Sequence, residues 1–87
     1  QKAFIGIDGY TREGGFMLRD LLRAEISGYI IRKVREVFIV SDASKFGRTG
    51  LTSICQLPEV RYIATNKDLD PAFIEEFRNA GKTLILA

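Results

Sequence analysis

Four short apolar segments, separated by longer polar or amphipathic stretches, constrain this chain more than any other feature. They cover residues 3–8, 36–41, 60–65 and 82–86, and their β-branched and aromatic residues favour strands. The intervening connections at 9–35 and 66–81 are long enough for helical crossovers. The pattern therefore predicts an α/β fold, a mostly parallel sheet with flanking helices in the order β-α-β-(α)-β-α-β.

The connections carry their own signals. Residues 18–35 are predicted to be a helix, and a second helix is predicted to begin at Asp70 as its N-cap, with Pro71 in the first position, and to end before Gly81. Residues 9–17 are expected to form a loop, and 51–56 a short helix. The apolar stripe expected to bury the first helix contains Leu18, Leu22, Ile26, Ile30 and Val34.

Predicted strands lie at both ends of the chain, at 3–8 and 82–86. Natural domains usually have polar, frayed ends, and a unit of this size buries only a little over ~60% of its unfolded surface. We therefore expect that further sequence, or a partner subunit, completes the sheet.

Composition excludes several classes of function. With 13 basic and 11 acidic residues, the net charge of +2 is too small to indicate nucleic-acid binding by this segment. The chain has no histidine and a single cysteine, Cys55, so we expect no metal site, no cofactor and no histidine-based acid–base catalysis. No apolar run reaches the about 18–20 residues of a membrane-spanning helix, and no membrane partner is expected.

Polar residues follow three of the predicted strands. Parallel strands would bring these residues to one edge of the sheet, where ligands of open α/β sheets bind. Together they would suit a small, hydroxylated, anionic ligand, although Asp-Gly also serves as a plain turn and a loop lysine is often simply solvated. The candidate binding residues are Asp8, Gly9, Asp42, Ser44, Lys45, Thr65 and Asn66.

The segment S-D-A-S-K-F-G-R at 41–48 closely resembles the A-D-x-S-K-F-G-R signature of the C-terminal sensor domain of DeoR-type bacterial transcriptional repressors. F-I-G-I-D-G at 4–9, with G-G-F at 14–16, is similar to the family's F-x-G-x-D-G…G segment. L-P-E-V-R-Y-I-A-T-N at 57–66 and G-K-T-L-I-L-A at 81–87 are similar to its two later segments, except that Asn66 stands where the family usually has aspartate.

This resemblance implies a Rossmann-like domain related to sugar-phosphate isomerases and deaminases, of which residues 1–87 form the C-terminal part. It implies a regulator of sugar metabolism that senses a phosphorylated sugar and binds operator DNA through an N-terminal helix-turn-helix outside this chain. By the same resemblance Lys45, helped by Ser44 and the loop backbone at 44–47, meets the effector phosphate, and Asp8 and Gly9 line the sugar. We expect a cytoplasmic homo-oligomer without catalytic residues.

Two other functions remain open from the sequence. The first is a fragment of a sugar-phosphate isomerase or deaminase, but these reactions need a positioned acid–base pair. Tyr10 stands where the related deaminases carry a histidine, and Glu25 is more simply a surface residue of the first helix. The second is a protein-interaction module, because strands without neighbours favour association.

Overall fold

The computed structural model describes all 87 residues and contains seven strands and two helices. Single 3-10 turns lie at Ala43–Lys45 and Leu57–Glu59. In chain order the elements are β1 (Lys2–Ile5), β2 (Gly9–Thr11), β3 (Gly15–Leu18), α1 (Leu21–Lys33), β4 (Glu36–Val40), β5 (Thr52–Cys55), β6 (Tyr62–Thr65), α2 (Pro71–Asn79) and β7 (Thr83–Leu86).

The strands β1, β4, β6 and β7 form one parallel sheet in that order, which confirms the α/β fold expected from the four apolar segments. The register places Ile39 beside Ile5 on one side and Ile63 on the other, and all three are buried. Because the strands are parallel, the carboxyl ends of β1, β4 and β6 lie at the same edge of the sheet.

The two faces of this sheet are unequally covered. Strand order follows chain order, so right-handed crossovers place every connection on the same face. On the other face the rings of Phe4, Phe38 and Tyr62 form a stack, with centroid separations of 4.8 and 4.1 Å, and Phe4 is 67% exposed. This open aromatic face is the kind of surface that larger parallel sheets cover with a second layer of helices.

A second, antiparallel sheet with the order β2-β3-β5 corrects two expectations. Residues 9–17, expected to be a loop, form the hairpin of β2 and β3. Gly15, directly after the hairpin turn, has φ +75°. Residues 51–56, expected to be a short helix, contain β5, which pairs with β3 more than thirty residues earlier. This pairing is not local, so the short apolar run alone does not reveal it.

The first helix is shorter than the expected 18–35, and it is turned the other way. It buries Ala24, Gly28 and Ile31, while Leu22 and Ile26 of the expected apolar stripe are 68% and 53% exposed. Helices approach a sheet most closely through small side chains, and α1 lies over β5 with its small residues inward. The stripe with the larger side chains therefore points away from the sheet in this chain.

The second helix begins and ends where the sequence predicts. The Asp70 carboxylate accepts a hydrogen bond of 2.9 Å from the backbone N–H of Ala72, Pro71 is the first residue, and Gly81 has φ +77° after the last turn. Phe77 is fully buried on its inner face, whereas Ala80 near the end of the helix is exposed. The helix thereby closes the core between the two sheets.

Candidate functional site

The seven candidate binding residues of the sequence analysis are called here the strand-end group. Its central segment, directly after β4, folds into a tight loop that begins with Asp42. The Asp42 carboxylate accepts hydrogen bonds from the backbone N–H of Ser44, at 3.2 Å, and from the Ser44 hydroxyl. The bond from this hydroxyl is the main reason that the pKa of Asp42 lies below its usual range. An ionised Asp42 therefore caps the turn at Ala43–Lys45.

Asn66 joins the end of β6 to the same loop. Its Oδ1 accepts a hydrogen bond of 2.7 Å from the backbone N–H of Ala43, and its Nδ2 donates one of 3.2 Å to Asp68. Thr65, directly before it, is buried, and its hydroxyl lies 3.5 Å from the same Oδ1. The structure thus brings together the polar ends of β4 and β6, as expected for neighbouring parallel strands.

Asp8 and Gly9 contribute in different ways. The Asp8 carboxylate accepts a hydrogen bond of 2.9 Å from the backbone N–H of Arg19 and lies 4.0 Å from the guanidinium of Arg23, so it is held at the start of α1. Gly9 meets the loop directly, because a Cβ there would lie 2.5 Å from the carbonyl oxygen of Arg48. Gly9 therefore joins the group through its backbone, while the Asp8 side chain is engaged elsewhere.

Two cations of the loop have no acidic partner. The single ion pair of the chain joins Arg23 to Asp8, and neither Lys45 nor Arg48 has a carboxylate oxygen within 4.0 Å. Lys45 is half-buried and Arg48 is exposed. Both lie close enough to Asp42 to help lower its pKa. The loop therefore presents two positive charges beside the Asp42 carboxylate, which caps the turn.

The backbone N–H groups at 44–47, which the sequence analysis expects to help bind the phosphate, all donate hydrogen bonds within the protein. The N–H groups of residues 44–47 donate respectively to the Asp42 side chain, the Asp42 carbonyl, the Ala43 carbonyl and the Tyr10 carbonyl. The Ser44 hydroxyl also donates to Asp42, whereas the charged side chains of Lys45 and Arg48 keep donors that could bind an anion at this loop.

The strand-end group forms an open surface in this chain. The largest cleft, of about 540 Å³, lies between α2 and the Gln56–Pro58 segment, and none of the three clefts is lined by a member of the group. Small-molecule sites usually bury most of their ligand. The strand-end group by itself therefore does not enclose a pocket.

No cluster of three or more His, Cys, Asp or Glu side chains is close enough to hold an ion. Neither helix has the length and apolar character needed to cross a membrane.

Arg48 is not among the residues predicted from the sequence, although it lies close to Asp42 in the structure. It ends the S-K-F-G-R segment, three positions after Lys45. The spacing of the two cations in one short loop is the sequence signal that indicates it. Tyr10 is likewise not among the predicted binding residues. Its carbonyl oxygen accepts a hydrogen bond of 2.7 Å from the N–H of Gly47.

Comparisons with known proteins agree with this architecture. Residues 1–67 match the family model described as the DeoR C terminal sensor domain. The HTH-type transcriptional regulator IolR of Bacillus subtilis (strain 168) is 34% identical over 74 residues, which are 85% of this chain and 30% of that protein. A protein of Escherichia coli (strain K12) named as a transcriptional regulator of the sgc region is 26% identical over 99% of this chain and 33% of its own length. A protein of Escherichia coli O157:H7 named as a repressor of the aga operon is 25% identical over 95% and 31%.

The parallel sheet, the polar strand ends and these matches define a sensor domain of the kind found in transcriptional regulators. The chain belongs to the family of DeoR C-terminal sensor domains. It spans about a third of the length of the curated relatives that it matches.

Proposed function

We propose that this chain is the C-terminal part of the effector-sensing domain of a DeoR-type regulator of sugar metabolism, and that its effector is a phosphorylated sugar. The observation that carries the proposal is the unpaired ammonium of Lys45, half-buried beside the carboxyl ends of two parallel strands. A cation without an acidic partner at this edge is suited to a phosphate, whose oxygens accept charge-assisted hydrogen bonds.

In this proposal Lys45 binds the phosphate as a point charge, and Arg48 supplies a second, forked set of donors. Ser44 and Asp42 act by holding the turn in shape, with the Ser44 oxygen still able to accept a bond from a sugar hydroxyl. Thr65 and Asn66 lie on the sugar side of the group, and the Asn66 side chain fixes the loop to β6. Gly9 leaves room for the loop, and Asp8 orients the start of α1 beside the sugar.

The pocket would be completed beside β1. Ligands of open α/β sheets bind where the strand order reverses, and the order β1-β4-β6-β7 contains no reversal. A reversal next to β1 would place the crevice beside Asp8 and Gly9. We propose that the remaining part of the sensor domain adds strands at the free edge of β1 and closes the site over the strand-end group.

The rest of the regulator is proposed from the relatives. The name of the Bacillus subtilis relative as an HTH-type regulator supports operator binding through a separate helix-turn-helix domain. We propose that the chain itself is non-catalytic. We also propose that the full-length protein is a cytoplasmic homo-oligomer in which effector binding modulates the affinity for operator DNA.

The experiment is a thermal-shift screen of the full-length regulator against glucose 6-phosphate, fructose 6-phosphate and ribose 5-phosphate, each beside its unphosphorylated parent. A ligand at 100 times its Kd should stabilise the sensor domain by about 2.7 kcal/mol, and the parent sugars should give no shift. Equal shifts with and without the phosphate would contradict the proposal. Turnover of any of these sugar phosphates would instead favour the isomerase or deaminase alternative.

A further inference from the structure

Tyr10 lies between the strand-end group and the core. It follows Gly9 directly, yet its side chain is only 1% exposed. Its ring packs against Phe16 and Phe77, with centroid separations of 4.6 and 5.3 Å. It also lies 6.0 Å from the ring of Phe46, in the loop at 42–48 that is called here the signature loop. This one side chain therefore contacts three elements: the antiparallel sheet, α2 and the loop that carries Lys45.

The hydroxyl of Tyr10 ties this region to α2. It donates a hydrogen bond to the Glu76 carboxylate, which belongs to a residue 66 positions later in the chain. Burial of the ring and the neighbouring Glu76 carboxylate both raise the pKa of Tyr10, so the hydroxyl remains a donor throughout the physiological range. The bond is long-range, so it fixes the segment after Asp8-Gly9 relative to α2.

The backbone of Tyr10 holds the signature loop. Its carbonyl accepts a hydrogen bond of 2.7 Å from the N–H of Gly47, and a single parallel bridge pairs Tyr10 with Phe46. Gly47 also faces the ring of Phe73 on α2, which a Cβ at that position would meet at 3.5 Å. The signature loop is thus hydrogen-bonded to the backbone of Tyr10, and it also packs against the ring of Phe73 on α2.

We propose that Tyr10 is a positioning residue for the effector site. The hydrogen bond from its hydroxyl to Glu76 fixes the position of β2, to which the signature loop with Lys45 is bonded through Gly47. The inference rests on the proposed function, because it assigns to Tyr10 the placing of the Lys45 ammonium for the phosphate. Without the hydroxyl the ring can shift within its aromatic cluster, and Lys45 shifts with it through Gly47.

The test uses Tyr10→Phe in the full-length regulator, with the sugar phosphate that gives the largest shift in the screen above as the probe. Its Kd should rise by about threefold to tenfold, the loss expected when one hydrogen bond no longer holds the loop. Hydrogen exchange of residues 43–48 should become faster while that of α1 is unchanged. Glu76→Gln retains a neutral and weaker acceptor for the hydroxyl, so its Kd should lie between those of the parent and Tyr10→Phe.

The matched control is Ile31→Val, a core change on α1 away from the loop that lowers stability by a comparable amount. It should lower the Tm without changing the Kd. If Tyr10→Phe behaves like this control while Lys45→Ala weakens binding, the positioning role is wrong and the proposed function stands. If neither Tyr10→Phe nor Lys45→Ala changes the Kd, both are wrong.

Discussion

Asn66 Oδ1 accepts a hydrogen bond of 2.7 Å from the backbone N–H of Ala43, and this bond joins the carboxyl ends of β6 and β4. The two residues are 23 positions apart in sequence, and the bond closes the base of the turn that carries Lys45. The other end of the amide donates to Asp68 at 3.2 Å, so the side chain is used at both ends. The departure of Asn66 from the aspartate usual in the family is therefore built into the local hydrogen bonding.

Asn66→Asp should destabilise the sensor domain at neutral pH. The variant keeps the acceptor for Ala43 but places a second carboxylate about 3 Å from that of Asp68, where like charges repel. The loss should be about 1 kcal/mol in dilute buffer and should shrink as salt is added, because salt screens the repulsion between the two carboxylates. Thermal unfolding of the full-length protein at low and high salt measures it.

The double variant Asn66→Asp with Asp68→Asn serves as the control for this pair. It replaces the second carboxylate with an amide, so the salt-dependent part of the loss should disappear. A single variant that is equally destabilised at low and high salt would show that charge repulsion is not the cause.

Gly9→Ala should disrupt the contact between the start of β2 and the signature loop. The new Cβ would lie 2.5 Å from the carbonyl oxygen of Arg48 and 2.9 Å from the N of Gly50, both backbone atoms that cannot move alone. We expect a loss of about 1–3 kcal/mol, which lowers the Tm of the domain by several degrees.

Gly6→Ala is the matched control for this prediction, because its new Cβ would meet no atom closer than 3.8 Å. Scanning calorimetry of the two full-length variants should show a change within about 0.5 kcal/mol for Gly6→Ala. Similar Tm values for the two variants would mean that Gly9 is not packed against the loop.

Cys55 should be unreactive in the folded protein. The thiol is buried, and burial raises its pKa to about 12. At pH 8 the native thiolate fraction should be on the order of 10³-fold below that of an unfolded chain, so alkylation should be slower by a similar factor. Peptide mapping after timed alkylation, with and without denaturant, measures the two rates at this residue.

The sign of the linked pH effect follows from the same shift. Because the folded pKa lies above that of the unfolded thiol, the contribution of Cys55 to stability is constant below about pH 8.5 and falls as the pH rises toward 12. Rapid alkylation of Cys55 in the native protein at pH 8 would contradict its burial against β3.

The parallel sheet could be predicted from the sequence because its information is local. Each of its strands is a separate apolar run, and Asp70, Pro71 and Gly81 mark the ends of α2 through short-range backbone chemistry. The strand β5 could not be predicted in the same way. Residues 51–56 show neither strict alternation nor a helical period, and their pairing with β3 depends on a contact made through the tertiary fold.

The orientation of α1 shows a second limit. The sequence offers a large apolar stripe and a small one, and the larger was expected to be buried. The structure buries Ala24 and Gly28 instead, because small residues let the helix lie close to β5. Within the site, topology predicted which strand ends meet. It could not predict that the Asp8 carboxylate would accept a hydrogen bond from the Arg19 N–H, or that the loop N–H groups would donate to Asp42, Ala43 and Tyr10.

The central claim is that Lys45 binds the phosphate of the effector, and the most direct measurement is the calorimetric Kd of Lys45→Ala in the full-length regulator. A charge-assisted contact contributes roughly 1.5–3 kcal/mol, so the Kd of the sugar phosphate found in the screen should rise by about 10- to 100-fold. Lys45→Met should match the alanine variant, and Lys45→Arg should be intermediate. Lys82→Ala, at the opposite edge of the sheet just before β7, should leave the Kd unchanged, and effector-free operator binding should be the same in all variants. A folded Lys45→Ala protein with the Kd of the parent would contradict the claim and make Lys45 a solvated loop residue.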